Sequence, residues 1–284
     1  MDPVTAFIAA RRIPFGAWGK DFFDYLTTNF DWIFSGIAQG ITSGLEGVIH
    51  LVLSMPPIIV VILASLIAWL LQRSTTLAIA TAIGLMFIIN LGFWKETIET
   101  LVLVIAAASV SMAIGVPVGI AAAHRPWLFQ ILNPILDLMQ TMPTFVYLVP
   151  VLVLFGLGMA PGVIATVIFA VPAPVRLTHL GITAVPKQLI EAGQAFGATR
   201  RQLLWKVELP AALPTIMAGL TQCIMLSLSM VVIAALVGAN GLGKPAVRAL
   251  NSVNIPLGLD SGIAIVVLAI ILDRACRVGA RKAP

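Results

Sequence analysis

The run GANGLGK, residues 238–244, has the glycine and lysine spacing of a loop that cradles phosphate with backbone amides while its lysine reaches the terminal phosphate. Pro245 stands where a serine or threonine would hold magnesium, and no strand precedes the run. The glycines read instead as a tight turn. Metal ligation finds no support, because His50, His124 and His179 lie far apart with no second ligand at metal spacing. Ser227 and Ser229 lack the Gly-x-Ser-x-Gly context and the nearby histidine that nucleophilic hydrolysis needs. Cys223, inside an apolar run, and Cys276, in a basic tail, are too isolated for a metal cluster or a disulfide framework. The expectation is a chain with no catalytic residue, no bound metal and no cofactor of its own. Without a complete phosphate loop, any work drawn from ATP must enter through another chain.

The elements that would position these residues are membrane elements. Of 284 residues, 60% are hydrophobic and 10% charged, with mean hydropathy +1.04, whereas soluble domains average about a quarter charged. A net charge of +5 and a pI near 9.6 invite a nucleic-acid reading. The basic residues, however, stand singly at the edges of apolar runs, as membrane orientation requires, so no nucleic-acid partner is expected. Arg11 and Arg12 are followed by Pro14, Gly16, Gly19, Lys20, Asp21 and Asp24 rather than an apolar stretch, which argues against a cleaved signal peptide. From 22 to 48, Phe22, Leu26, Phe30, Ile33, Ile37, Ile41, Leu45 and Val48 recur at helical spacing against Asp24, Asp31, Gln39 and Glu46. This predicts an amphipathic helix on the membrane surface. A solvent-facing helix packed on the protein has the same pattern and stays open.

A helix needs about 20 apolar residues to cross the hydrocarbon. Charge-free runs supply them at 51–72, where Pro56-Pro57 starts the span late or kinks it, then at 74–94 and 100–123. Between Asp137 and Arg176 there is room for two crossings joined at GLGMAPG, and further spans fall at 209–243 and 257–272. The fold class expected is all-α, a polytopic membrane protein with about seven transmembrane helices plus the N-terminal interfacial helix. Residues 1–50 form an external segment, and 51–284 the transmembrane domain. With the 179–210 segment placed in the cytoplasm, eleven lysines and arginines face inward, among them Arg73, Arg125, Arg176, Arg274, Arg277, Arg281 and Lys282. Six face outward: Arg11, Arg12, Lys20, Lys95, Lys244 and Arg248. The bias puts the N-terminus outside and the C-terminus inside. Trp69, Trp94 and Trp127 fall near span ends, where an aromatic belt belongs.

One stretch breaks the apolar pattern, EAGQAFGATRRQLLWKVELPAALP at 191–214. At about 2.5–3.5 kcal/mol per central charge, Arg200, Arg201, Lys206 and Glu208 cannot sit in hydrocarbon. Pro186 suits the start of a helix over 187–196, and Gly197 can take the left-handed conformation that ends it. Thr199 and Gln202 match a capping box that starts a second helix, expected to run to Leu209 before Pro210. Leu203, Leu204 and Val207 share a face that Phe196 extends. The result is an exposed elbow with an apolar stripe, long enough for function, although a plain charged connector would look similar.

The elbow resembles the cytoplasmic loop, named for its Glu-Ala-Ala…Gly pattern, of permease subunits in binding-protein-dependent ABC importers. Glu191, Ala192, Gly197 and Leu209-Pro210 match the pattern, and Gly193 departs from the usual second alanine. LDLMQTMPTFVYLVPVLVLFGLG, VPAPVRLTHLGI, PTIMAGLTQCIMLSLSMVVIAALVGANGLG and ILDR resemble the permeases for glycine betaine, proline betaine and choline. The resemblance covers roughly 97–276 well and the first two spans loosely. It implies a coupling helix in the 179–210 loop, carried here by Glu191, Ala192, Gly193, Phe196, Gly197, Arg200, Arg201, Leu203, Leu204, Leu209 and Pro210. It also implies a second permease copy and two cytoplasmic ATPase subunits that use ATP and magnesium. An external substrate-binding protein completes the set, with membrane lipid around a multi-pass chain of the bacterial inner membrane.

Such a path must pass a compact osmoprotectant cation whose nitrogen has no hydrogen-bond donor, which aromatic and soft apolar walls suit. Candidates are Gln140, Thr141, Thr144 and Tyr147 near Pro143, with Met225, Ser227, Ser229 and Met230 opposite. Small and hydroxyl side chains also serve as helix contacts. Competing readings are the same fold carrying an amino acid such as methionine, and a self-sufficient transporter or channel. The latter predicts ionisable residues at span centres, and the spans show none.

Overall fold

The computed structural model describes residues 14–277, and every regular element among them is helical. In chain order these are α1 (Phe15–Leu53), α2 (Pro57–Gln72), α3 (Thr75–Asn90), α4 (Trp94–His124), α5 (Pro126–Thr141), α6 (Thr144–Phe155), α7 (Met159–Ala170) and α8 (Pro172–Thr183). They continue with α9 (Lys187–Ala195), α10 (Arg200–Leu203), a wider π turn at Leu204–Glu208, α11 (Leu209–Leu236), α12 (Gly243–Ser252) and α13 (Ile255–Cys276). Arg11, Arg12, Arg281 and Lys282, counted in the charge bias, lie outside the described residues.

By length and composition five of the described helical stretches can cross a membrane, at 16–53, 94–124, 159–183, 200–236 and 255–276. The α5–α6 pair, bent by 94° at Met142-Pro143, is a sixth if it counts as one span. Helices α2 and α3 are apolar but 16 residues each. The expected seven spans are thus redistributed rather than matched one for one. Around GLGMAPG, where Gly156 and Gly158 both have positive φ, the helical stretch 159–183 is long enough to cross, while the preceding α5–α6 pair has the bend of a broken span or a re-entrant loop. The expected surface helix also changes character. It belongs to the 39-residue α1, which has a non-helical residue at Phe30. Beyond that break Leu45 and Ile49 are buried with Ile98, Val102 and Leu103 of α4 and Met159 and Val163 of α7. Its second half packs on the bundle, as in the alternative of a helix packed on the protein, and its first half is mostly exposed.

The centre is α8 held between α4 and α11. Lipid offers no hydrophobic drive for helix association, so close backbone approach must supply the contact. Gly115 and Gly119 of α4 provide it: a Cβ on Gly115 would lie 2.6 Å from Pro174 Cγ, and one on Gly119 2.7 Å from the Val175 carbonyl oxygen. Gly219 of α11 approaches Pro174 and Leu177 from the other side. Pro172 and Pro174 open α8 directly after Val171, where proline's missing N–H is tolerated.

Candidate functional site

The elbow is assembled from local capping. Helix α9 starts after Pro186 and ends in a Schellman arrangement, with Gly197 N donating to Gln194 O (2.8 Å) and Ala198 N to Gly193 O (3.0 Å). Gly197 has φ 75°, the left-handed value expected of it. Thr199 then forms the capping box: Gln202 N donates to its Oγ1, and Thr199 N donates to Gln202 Oε1 at 2.8 Å. A Cβ on Gly193 would stand 2.6 Å from Leu203 Cδ2, where α9 lies on α10, so an alanine there would need the end of the Leu203 side chain to shift.

Two expectations are corrected here. The second helix does not stop before Pro210; the π turn makes Leu209 N donate to Leu204 O, and the helix then runs on into α11. One extra residue per turn accommodates the place where Pro210 lacks a donor. The apolar stripe is also composed differently. Leu203 is 5% exposed, and Leu204 and Leu209 join Ile182, Ala212 and Ile216 in a core cluster. Those side chains fasten the elbow. The apolar surface it presents is Phe196, 93% exposed, with Trp205 and Leu189, among the exposed Glu191, Ala192, Arg200 and Arg201.

A side-chain contact joins the elbow to the bundle. His124, last residue of α4, places Nε2 2.9 Å from Glu208 Oε2, with its Nδ1 2.9 Å from Ile120 O. Glu208 is buried, so nearly all its carboxylate stabilisation must come from protein rather than water. No group of metal-holding side chains occurs among the described residues.

The expected path residues divide into three sets. Gln140, Thr141 and Thr144 gather at the α5–α6 break. Such irregular backbone at membrane depth is tolerated where protein or water covers it. Tyr147 and Met230 come together, but in a buried cluster with Leu148, Ala165 and Val237. Ser227 is buried and bonded to Cys223 O at 2.8 Å, whereas Met225 and Ser229 are exposed on the other side of α11. Gln222, missed in the sequence, stands one turn from Met225 on that stripe. Both line a groove of about 940 Å³ between α11 and α13. Arg176 pairs with Asp137, linking α8 to α5.

The GANGLGK run is a packed turn, as expected. Leu242 N donates to Thr100 Oγ1 of α4 (2.8 Å), Gly238 and Gly241 have positive φ, and Lys244 bonds Asn240.

Residues 115–278 match the model of the binding-protein-dependent transport system inner membrane component family. The chain belongs to that family. Among its relatives, the glycine betaine transport system permease protein OpuAB of Bacillus subtilis is 46% identical over 263 residues, 93% of each chain. The glycine betaine/proline betaine permease protein ProW of Escherichia coli is 45% identical, over 92% of this chain and 74% of that one. GbuB of Listeria monocytogenes, a glycine betaine/carnitine permease protein, is 44% identical over 95% and 97%. A solved inward-facing methionine ABC transporter, MetNI, superposes with TM-score 0.57 at 25% identity, covering 63% of this chain and 89% of that chain. The family match runs from the last turns of α4 to α13 and so contains the elbow, the α5–α6 break and the exposed stripe of α11. What sequence reasoning missed in this family member, His124–Glu208 and Asp137–Arg176, joins residues 84 and 39 positions apart, and no local periodicity marks such pairs.

Proposed function

We propose that the chain is the translocating permease subunit of an ATP-driven importer for quaternary ammonium osmoprotectants, glycine betaine foremost. The observation that carries the reading is the 46% identity to a glycine betaine permease over 93% of both chains. In this reading two copies form the path, two ATPase subunits dock beneath them, and an external binding protein delivers solute. The elbow lies in the cytoplasm, the N-terminus outside and the C-terminus inside. Phe196 and Trp205 are its docking side chains, since a large exposed apolar pair among charges is suited to a partner's groove.

The elbow's attachments describe how a push would travel. The π turn continues into α11, and His124–Glu208 ties the same point to α4, so displacing the elbow displaces both helices that flank α8. That is a rigid-body route to alternating access. The Met225–Ser229 stripe and the α5–α6 break form the path walls in this scheme.

Co-purification of the ATPase subunit with the Phe196→Asp and Trp205→Asp variants tests the docking role. Expected is an inserted permease that no longer retains ATPase; full retention refutes it. The likeness to a methionine transporter favours one alternative, an amino-acid substrate. Competition for uptake separates them: glycine betaine competes and methionine does not.

A further inference from the structure

A cavity of about 550 Å³ opens between α3 and the last turns of α13; it contains none of the elbow or expected path residues but shares Ile270, Arg274 and Arg277 with the α11–α13 groove. Its wall is apolar on Leu77, Val267 and Ile271, and toward the helix ends it carries Ser74, Arg274 and Arg277. Gln72 donates to the carbonyls of Ala275 (3.0 Å) and Arg277 (2.9 Å), fixing the α2–α3 hairpin to the end of α13. Arg277 is paired with Asp273 at 2.9 Å. Arg274 is exposed and has neither ion pair nor hydrogen bond among the described residues.

A second observation comes from inside the cavity. Thr81 lines it and is fully buried, yet its hydroxyl has no partner. A helical threonine ordinarily bonds the carbonyl four residues back, as Thr166 does to Gly162 at 2.7 Å. Thr97, Ser111 and Thr178 are likewise buried without a partner, but Thr81 is the one of these that lines this cavity, where an entering acceptor would satisfy its hydroxyl.

An apolar shaft that ends in an unpaired guanidinium where a membrane helix ends matches one ligand chemistry, an acyl chain joined to a phosphate ester. Free phosphate would leave the shaft empty, and an apolar helix of a second copy would leave Arg274 and Thr81 unpaired. We propose that this cavity holds an anionic phospholipid. Its phosphate meets Arg274 and Ser74, an ester oxygen accepts from Thr81, and the chain lies along Leu77 and Ile271.

Native mass spectrometry of the full-length chain purified from membranes tests the assignment, with phosphatidylglycerol, phosphatidylcholine and inorganic phosphate as separate arms. Phosphatidylglycerol is expected to be retained over phosphatidylcholine. Arg274→Gln, at an exposed position, weakens it about tenfold, the value of one charge-assisted hydrogen bond. Thr81→Val, close in shape, gives a smaller loss, and Ala80→Phe blocks the shaft. Equal retention of the two lipids, or binding indifferent to both Arg274→Gln and Thr81→Val, overturns the proposal. Displacement of the lipid by inorganic phosphate overturns it, as does efficient disulfide formation between two Ala80→Cys copies, which would make the cavity an interface.

Discussion

Two glycine turns lie beyond opposite ends of the continuous helical stretch 200–236, and they are built on different physics. At the elbow, Gly197 has φ 75° and nothing within 4 Å of where a Cβ would stand. At the far end a Cβ on Gly243 would run into the carbonyl oxygen of Val231, and one on Gly241 would crowd Thr100. The first turn needs only a backbone angle, whereas the second needs angles at Gly238 and Gly241 and also space at Gly241 and Gly243. The elbow is therefore a self-capped piece attached to the bundle at few points, free to present Phe196 and Trp205. The far turn is part of the core, with Leu242 fully buried and bonded to α4.

The largest effect should come from the crowded turn. Gly243→Ala forces a methyl against backbone that cannot rotate away, an overpacking of about 3 kcal/mol. Thermal unfolding of the purified chain should show a clear drop in melting temperature, and Gly243→Asn, being larger, should be worse. If Asn proves no worse than Ala at this position, space is not what the glycine provides and the contrast fails.

Next in size is the link between elbow and bundle. Glu208→Ala removes the partner of His124, whose side chain is 46% exposed, so the loss is nearer that of a half-solvated pair, about 1–2 kcal/mol. The effect should be local: hydrogen exchange should accelerate in α9 and α10 and leave the amides of α8 unchanged. Uniform acceleration across the bundle would mean the elbow is not a separate unit.

The same division explains what the sequence made legible. Pro186, Gly197, Thr199 and Gln202 act through neighbours within a few residues, so their roles could be read off the chain and hold in the structure. The all-helical membrane architecture was readable for a similar reason, because apolar runs report burial in lipid residue by residue. The wider turn at Leu204–Glu208 was not readable, since Pro210 alone signals a stop, and only the continuous packing of α11 on α8 overrides it. Leu203 and Phe196 looked equivalent on a helical projection, and which one faces outward was decided by α9 folding back onto Leu203 through Gly193. Tyr147 and Ser227 had path-like chemistry, but burial depends on neighbours such as Met230 and Cys223 that composition cannot place.

The smallest effect is expected at the open turn, and it sharpens the comparison most. Gly197→Ala places an L side chain in the left-handed region at about 1 kcal/mol, with no clash to add. Asparagine tolerates that region, so Gly197→Asn should recover part of the loss even though it is larger. The order of substitutions is then reversed between the two ends of α11: Asn milder than Ala at 197, and harsher at 243. Hydrogen exchange in α9 reads the first and the melting temperature reads the second. A matching order at both sites would show that Gly197 also fills a packing role, and would make the elbow less independent than its local hydrogen bonds indicate.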